Sequence, residues 1–404
     1  MRKIFTLLIL YIVAGAWNAW GKRNDDTMAS QLLYVTNPTF KDGTNGWYGA
    51  PEVGGIGSYL NAQKKLTQDG QAFDVYQEVS GLPKGIYSLE VQAFYQGSTV
   101  GQSQLYAKVG DNEVKVNIMS IHADVHTGSN VLYNSEVGGG ADAWSNEGKG
   151  YIPTCQEGAS AYFNEGHYTK NIVWIFVEND NATLRVGIKN GSNSETNDWT
   201  CFDNFKLTHY EVTSGSYYLR NRSTNKFLTQ GNAWGTQATL SDNVGIEFVV
   251  KNNGDKYVFD SQIKNVSHYL NGNGYVDSHA TVFTWTQKNE NYYALSENGE
   301  NNFLVPGNGT TATFSGEPYD YSNQWELVTR QKLIDELKTS GATQYNPKDA
   351  TILISASTFN GYDARNNQSW KGSPGIGGYT GDTEANHCGE IYNQNAGFDV
   401  YQEL

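Results

Sequence analysis

Apolar and polar residues alternate over several short stretches of this chain. In Phe73–Val79 the alternation puts Phe73, Val75, Gln77 and Val79 on one face and Asp74, Tyr76 and Glu78 on the other. That pattern predicts a half-buried strand whose mostly apolar face meets a core. The polar set would either line a concave groove or form a solvated outer face. Ile86–Phe94, Gln104–Val109, Asn171–Val177, Thr183–Ile188 and Phe202–Thr208 are further strand-like runs. Leu82-Pro83-Lys84-Gly85 places Pro and Gly as a β-turn wants them, and Glu178-Asn179-Asp180-Asn181 is a second turn. The Gly- and Ser-rich stretch from His126 to Tyr151 reads as a long loop. Residues 33–211 are therefore expected to form a β-sandwich.

A different pattern occupies residues 214–330. Tyr218, Tyr257 and Tyr293 open three segments at spacings of 39 and 36 residues. Phe227-Leu228, Tyr269-Leu270 and Phe303-Leu304 follow, and each segment closes on an aromatic: Phe248, Trp285 and Trp325. Three such repeats predict a threefold-symmetric closed β-structure. A propeller built from blades of this length needs at least a fourth repeat, so a β-trefoil is the simpler architecture. The period then changes at 331–341, where Leu333, Ile334 and Leu337 fall on one helical face and Gly341 suits the end. These features predict a short helical connector.

The run Phe-Asp-Val-Tyr-Gln-Glu at Phe73 returns at Phe398, 325 positions later. Upstream, Gly55-Ile56-Gly57-Ser58-Tyr59 returns as Gly375-Ile376-Gly377-Gly378-Tyr379, and Thr39-Phe40 before Trp47 returns as Thr358-Phe359 before Trp370. Unequal gaps between such anchors are what loops of variable length between fixed strands produce. Residues 350–404 are thus expected to begin a second, truncated copy of the first module, and the chain to be the front part of a longer protein. Opening strands alone cannot close a core. That segment is expected to be poorly ordered or to borrow a neighbour's edge.

Composition supports an all-β class. Aromatics make up 13% of residues, Gly numbers 44 and charged residues are 17%, a balance that suits short strands and turns over long helices. The net charge of −14 lacks the basic footprint that nucleic acid or an anionic membrane surface requires. Met1-Arg2-Lys3, an apolar run from Ile4 to Trp17 and Ala19-Trp20-Gly21 read as a secretory signal cleaved after Gly21, too short for a comfortable membrane span. A secreted, extracytoplasmic or cell-surface location follows. Such a compartment permits a disulfide between Cys155 and Cys201 without requiring one.

Three stretches resemble the opening, middle and closing strands of galactose-binding-like jelly-roll modules. They are Asn37-Pro38-Thr39-Phe40 with Trp47, the run Tyr76 to Tyr87, and Asp198-Trp199 with Phe202-Asp203-Asn204-Phe205-Lys206-Leu207. Gly215 to Arg220, with Asn225-Lys226-Phe227-Leu228, resembles ricin-like trefoil repeats. Repeat three has Gln324 and Trp325 adjacent, and the Gln-x-Trp signature of ricin-type lectins is absent as such. The resemblance implies a jelly-roll sandwich, then a trefoil, in a secreted carbohydrate-binding protein. It also implies a structural calcium near the first and last strands, with Asp203 and the loop around Asp42 as its ligands.

Sugars are held by flat aromatic faces with short amide and carboxylate hydrogen bonders. Tyr133, Trp144 and Tyr151, in or beside the long loop, and Trp199, before the closing strand, are the candidate contacts with polysaccharide or glycan. Trp47 and Trp370 read as core. His122, Asp124 and His126 would point one way from a strand, a plausible transition-metal arrangement. No run marks a glycosidase acid and nucleophile, and there is no Gly-x-Ser-x-Gly elbow, P-loop or His-Glu-x-x-His. The chain reads as a noncatalytic carbohydrate-binding region. The alternatives are accessory modules of a glycoside hydrolase with its catalytic domain beyond Leu404, or structural adhesin modules that bind protein.

Overall fold

The structure is a computed structural model that describes residues 34–49, 63–67, 73–97, 103–127, 132, 135–137, 150–191, 198–230, 236–263, 267–297, 301–316, 320–341 and 343–348, with short pieces up to residue 401. The expected signal segment, Tyr133, Trp144 and Trp370 lie outside the described residues. Strands dominate, as the composition leads one to expect.

The first body is a two-sheet sandwich. Its strands are β1 (Gln63–Thr67), β2 (Phe73–Leu82), β3 (Gly85–Gln96), β4 (Ser103–Val109), β5 (Asn112–Asn117), β6 (Ser135–Val137), β7 (Tyr151–Pro153), β8 (Asn171–Val177), β9 (Ala182–Asn190) and β10 (Asp198–Tyr210). One sheet runs β1-β10-β3-β8 and the other β2-β9-β4-β5, with every pairing antiparallel. Alternation sets the core. Val75, Leu105, Val186 and Ile188 from one sheet meet Leu89, Val91, Val173, Ile175 and Phe202 from the other, all buried. Gln77 on this inward face is buried too. Its amide clamps the Thr36 backbone, with the Thr36 N–H donating to Oε1 at 3.0 Å and Nε2 donating to the Thr36 carbonyl. Trp47 packs as core, with its ring centroid 4.9 Å from Phe40 and 4.6 Å from Phe205.

The two predicted turns lie at one end of the sandwich and are bonded together, the Lys84 N–H donating to Asp180 Oδ1 at 2.9 Å. Residues 121–124 are turns and bends rather than a strand, and His126 makes an isolated bridge to Tyr151. The helix α1 (Gln156–Asn164) was not expected from the sequence. Cys155 caps it, its Sγ accepting from the Gly158 N–H at 3.4 Å. Cys155 and Cys201 do not form a disulfide. Ala159, Tyr162 and Phe163 of α1 join Phe94, Ile121, Tyr168 and Cys201 in a separate cluster on the outer side of the β3–β10 sheet.

The second body begins at once, since β10 ends at Tyr210 and β11 (Thr213–Asn221) follows. With β14 (Phe248–Asn253), β15 (Lys256–Asp260), β16 (Phe283–Asn289), β17 (Tyr292–Glu297) and β20 (Trp325–Val328), β11 pairs round a closed ring: β11-β14-β15-β16-β17-β20 and back to β11. Closure removes the sheet edges. β12 (Phe227–Gln230) pairs with β13 (Ala238–Ser241), and β18 (Phe303–Pro306) with β19 (Ala312–Ser315), as appended hairpins. Tyr269 and Ser278 make a comparable bridge in the middle segment.

The ring core repeats threefold. Leu228, Leu270 and Leu304 are fully buried, as are Phe248 and Trp325, and Trp285 is nearly so. The tyrosines that pack against this core are Tyr217, Tyr257 and Tyr293, whereas Tyr218 belongs to a different cluster with Phe227, Val244, Val328 and Leu333. The repeat therefore opens on Tyr217, not Tyr218, because adjacent strand residues face opposite sides.

Helix α2 (Arg330–Thr339) lies where the sequence places it. Thr329 Oγ1 accepts from the Lys332 N–H at 3.1 Å, and Gly341 (φ +78°) follows the C-cap Ser340. The helix is more than a connector. Leu333 is buried against Tyr218 and Phe227, and Arg220 bonds Glu336 and Glu326, each at 2.8 Å. Within 350–404 the described pieces include Leu353, buried beside Leu333, and short ladders pairing 371–372 with 400–401 and 376–378 with 389–391.

The sandwich and the ring share an apolar seam of Ile86 and Phe176 against Val258, Tyr269, Ala280 and Val282. Polar contacts pin it: Asn112 Nδ2 donates to the Ala280 carbonyl at 3.1 Å, and His268 Nε2 lies 3.3 Å from Glu178 Oε1. Thus α1 and the ring cover the outer side of the β3–β10 sheet, and the outer side of β2-β9-β4-β5 carries polar and aromatic side chains instead.

Candidate functional site

Register arranges the uncovered side. Tyr76 pairs with Gly187, Gly187 with Tyr106, and Tyr106 with Lys115, so these four form one row across β2, β9, β4 and β5. The neighbouring rows are Asp74-Lys189-Gln104-Asn117 and Glu78-Arg185-Lys108-Glu113. Gly187 is buried between the two tyrosines, with no room for a side chain. A Cβ there would press into the Val75 carbonyl oxygen and lie 2.9 Å from Tyr76 Cβ.

Each group on the face is held by another. Tyr106 donates its phenol to Asp74 Oδ1 at 2.6 Å, and Lys189 lies over the Tyr106 ring at 4.5 Å while pairing with Glu113 Oε1 at 2.6 Å. Arg185 lies over the Tyr76 ring at 4.1 Å and donates to Glu78 Oε1 from Nη2 at 2.6 Å and from Nε at 3.2 Å. Burial first, then the bond to Asp74, pushes the Tyr106 phenol well above the ordinary tyrosine range. The bond to Glu78 raises Arg185, so its charge is fixed. Tyr48 closes the row at one rim: its backbone pairs with that of Tyr76, its ring centroid lies 5.9 Å from that of Tyr76, and its side chain stands 62% exposed. The face thus offers one open ring, and charged donors and acceptors whose rotamers are already fixed. Groups held in this way meet a polar ligand with little ordering cost.

The residues singled out in the sequence fall elsewhere. Tyr151 is half-buried on β7, where its backbone exchanges two hydrogen bonds with His126, at 2.9 and 3.1 Å. This places it with the covering layer, across the sandwich from the Tyr76 row. The Trp199 backbone pairs with Leu66 and Gln96 on β10. The expected His122, Asp124 and His126 arrangement loses its strand premise, since His126 makes only an isolated bridge to Tyr151. Asp124 is spent on His167 Nδ1 at 2.9 Å and the Tyr168 N–H at 2.6 Å, and no three His, Cys, Asp or Glu gather to hold a metal among the described residues.

Asp203 sits at the bulge in β10, fully buried, with Oδ1 accepting from the Asn204 N–H at 2.7 Å and Oδ2 without a hydrogen-bond partner among the described residues. Burial pushes its carboxyl up to about 8, against the lowering effects of that N–H and of Lys41. An orphaned buried carboxylate oxygen fits one ligand of a hard cation. Asp42 lies on the adjoining loop, which the Phe205 N–H ties to β10 through the Pro38 carbonyl at 3.0 Å. The Asp42 N–H donates to Asn37 Oδ1 at 3.1 Å.

No helix among the described residues is long and apolar enough to cross a membrane. No family model matches the chain, and no curated protein matches it. Among the solved structures similar to parts of it are two ligand complexes. One is TmCBM61 in complex with β-1,4-galactotriose, 15% identical over 44% of this chain and 98% of its own, with a TM-score of 0.23. The other is the binding domain of botulinum neurotoxin DC in complex with SialylT, 10% identical over 70% of this chain and 93% of its own, with a TM-score of 0.21.

Proposed function

We propose that this chain is a noncatalytic carbohydrate-binding region that holds a secreted protein to polysaccharide, and that the Tyr48-Tyr76-Gly187-Tyr106 row is its chain-binding face. The carrying observation is the pre-set lattice on that row, with Arg185 and Lys189 fixed over tyrosine rings by Glu78 and Glu113. An exposed row of this kind suits a polymer laid across the strands, from Tyr48 towards Lys115. Glycan contact at Tyr133, Trp144, Tyr151 and Trp199 is a second proposed surface, of which Tyr151 lies on the covered side. The closed six-strand ring with its appended pairs supports the trefoil reading of residues 214–330, and the two-sheet body the jelly-roll reading of 33–211. Asp203 is the residue that would hold a structural calcium, with the Asp42 loop beside it. Such an ion would neutralise the buried carboxylate and fasten the first loop to the last strand.

A glycan array with the full chain, run with and without chelator, tests the function. Retention of a defined polysaccharide, lost in Tyr48→Ala and Arg185→Ala, is the expected result. A blank array in both conditions sinks the reading and favours a protein-binding adhesin.

A further inference from the structure

We infer that the cleft between the sandwich and the closed ring is a second saccharide site, one that takes a short neutral saccharide end-on. The cleft has a volume of 540 Å³ and draws its walls from both bodies, with Asn112 to Lys115 and Trp174 on one side and Ser267, Asn271, Asp277, His279 and Glu297 on the other. That volume lies in the range of small-ligand sites and has room for roughly two or three sugar rings.

The walls are fixed. The apolar seam and the Asn112–Ala280 bond set their spacing, so the site needs no closing motion. Trp174 supplies the aromatic wall, its indole braced by Tyr210 at 5.3 Å and by Lys256 at 4.9 Å. The polar lining is only partly used. The Asp277 carboxylate makes no hydrogen bond or ion pair among the described residues. Asn271 spends Oδ1 on the N–H groups of Asn273 and Tyr275, each at 3.0 Å, and its Nδ2 donor is left over among the described residues. Gly272 has no side chain where a Cβ would collide with the Glu297 carboxylate, so that acid reaches the cleft wall.

This inventory selects the ligand class. Acids outnumber bases in the lining, and there is no arginine, so phosphates and other anions are disfavoured. An apolar ligand would leave the unused amide and carboxylate unpaired. A polyhydroxylated neutral molecule satisfies both groups and lays its C–H face on Trp174. The cleft lies where the Tyr76 row reaches Lys115 and meets the ring, so it suits a chain end or a short fragment. The inference rests on the glycan-binding reading but not on the location of the chain-binding face.

The test uses the full chain and a trisaccharide panel of cellotriose, xylotriose, mannotriose and β-1,4-galactotriose, titrated by calorimetry, beside affinity electrophoresis in long polysaccharide. The expected result is that one trisaccharide binds and that Asp277→Ala weakens it by roughly tenfold, about the worth of one hydrogen bond to a charged group, with Asp277→Asn weakening it less. Both variants should leave polysaccharide retardation unchanged, while Arg185→Ala abolishes retardation and spares the trisaccharide. Because a variant can fold poorly, the wild-type Trp174 indole resonance, assigned with Trp174→Phe, should also shift on adding the trisaccharide. Trisaccharide binding that follows Arg185→Ala and ignores the cleft variants overturns the cleft and keeps the glycan reading. So does polysaccharide retardation with no trisaccharide binding. Silence in both assays overturns the glycan reading itself.

Discussion

Tyr106 donates its phenol hydrogen to Asp74 Oδ1 at 2.6 Å across two strands of one sheet, beneath the Lys189 ammonium. The bond holds an almost fully buried ring flat against the sheet and orients the carboxylate at the same time. Tyr106→Phe keeps the ring and removes only the donor. It should cost about 0.5–1.5 kcal/mol of stability and, as a hypothesis, weaken polysaccharide retention because Asp74 is released. Urea unfolding and affinity electrophoresis on the same samples check both. Unaltered retention alongside the stability loss would remove Asp74 from the binding face.

Gly187 separates Tyr76 from Tyr106 on the central strand of that sheet. A methyl group there has no free space, so Gly187→Ala should destabilise the sandwich by about 1–3 kcal/mol as the neighbouring strand shifts. The Tyr76 and Tyr106 rings are predicted to be pushed out of register and retention to fall more than it does in Tyr106→Phe. A variant that melts at the wild-type temperature and binds as before would show that the close approach at Gly187 has neither role.

Much of this architecture is legible in the chain because burial follows period. Asn171–Val177 is a strand at the bounds its pattern predicts, and the alternation in Phe73–Val79 assigns both faces correctly, down to the inward Gln77. Two errors have physical causes. Tyr217 and Tyr218 are both tyrosines, so residue type could not say which faces the ring core. Spacing could: Tyr217 precedes Leu219 by two, as Tyr257 precedes Phe259 and Tyr293 precedes Leu295, all three buried in that core. In α1, Ala159, Tyr162 and Phe163 have helical spacing, but Gly158 and two aromatics in nine residues carry little intrinsic helix preference. The candidate face was half visible as Asp74, Tyr76 and Glu78. Its other half, Arg185, Gly187 and Lys189, lies about 110 residues away along the chain and joins it only through strand register.

Asp203 predicts a response to calcium. If the ion binds through Oδ2, calcium should raise the thermal midpoint of the wild-type chain, with a gain of about 2.7 kcal/mol at a hundredfold excess over Kd. Asp203→Asn retains an acceptor for the Asn204 N–H but loses the charge, so its midpoint should ignore calcium. Differential scanning calorimetry with and without chelator reads both. A wild-type midpoint indifferent to calcium would mean that Asp203 serves as a buried neutral acid.

Asp260 predicts an acid-sensitive contact at the seam. Burial would raise its carboxyl, but the hydrogen bonds from Lys251 Nζ and His268 Nδ1, each at 2.8 Å, outweigh that and hold it below the ordinary carboxylate range. A carboxyl depressed by folding contributes stability that is complete above its unfolded value, about 3.9, and is lost as pH falls through the lower folded value. The loss reaches past the ring, because His268 also faces Glu178 of the sandwich at 3.3 Å. Asp260→Asn should therefore cost about 1.5–3 kcal/mol at pH near 7, and the gap from wild type should shrink once the pH is well below 4. Urea unfolding at the two pH values decides the matter. An equal gap at both would mean that packing around Asp260, and not its charge, secures the ring side of the seam.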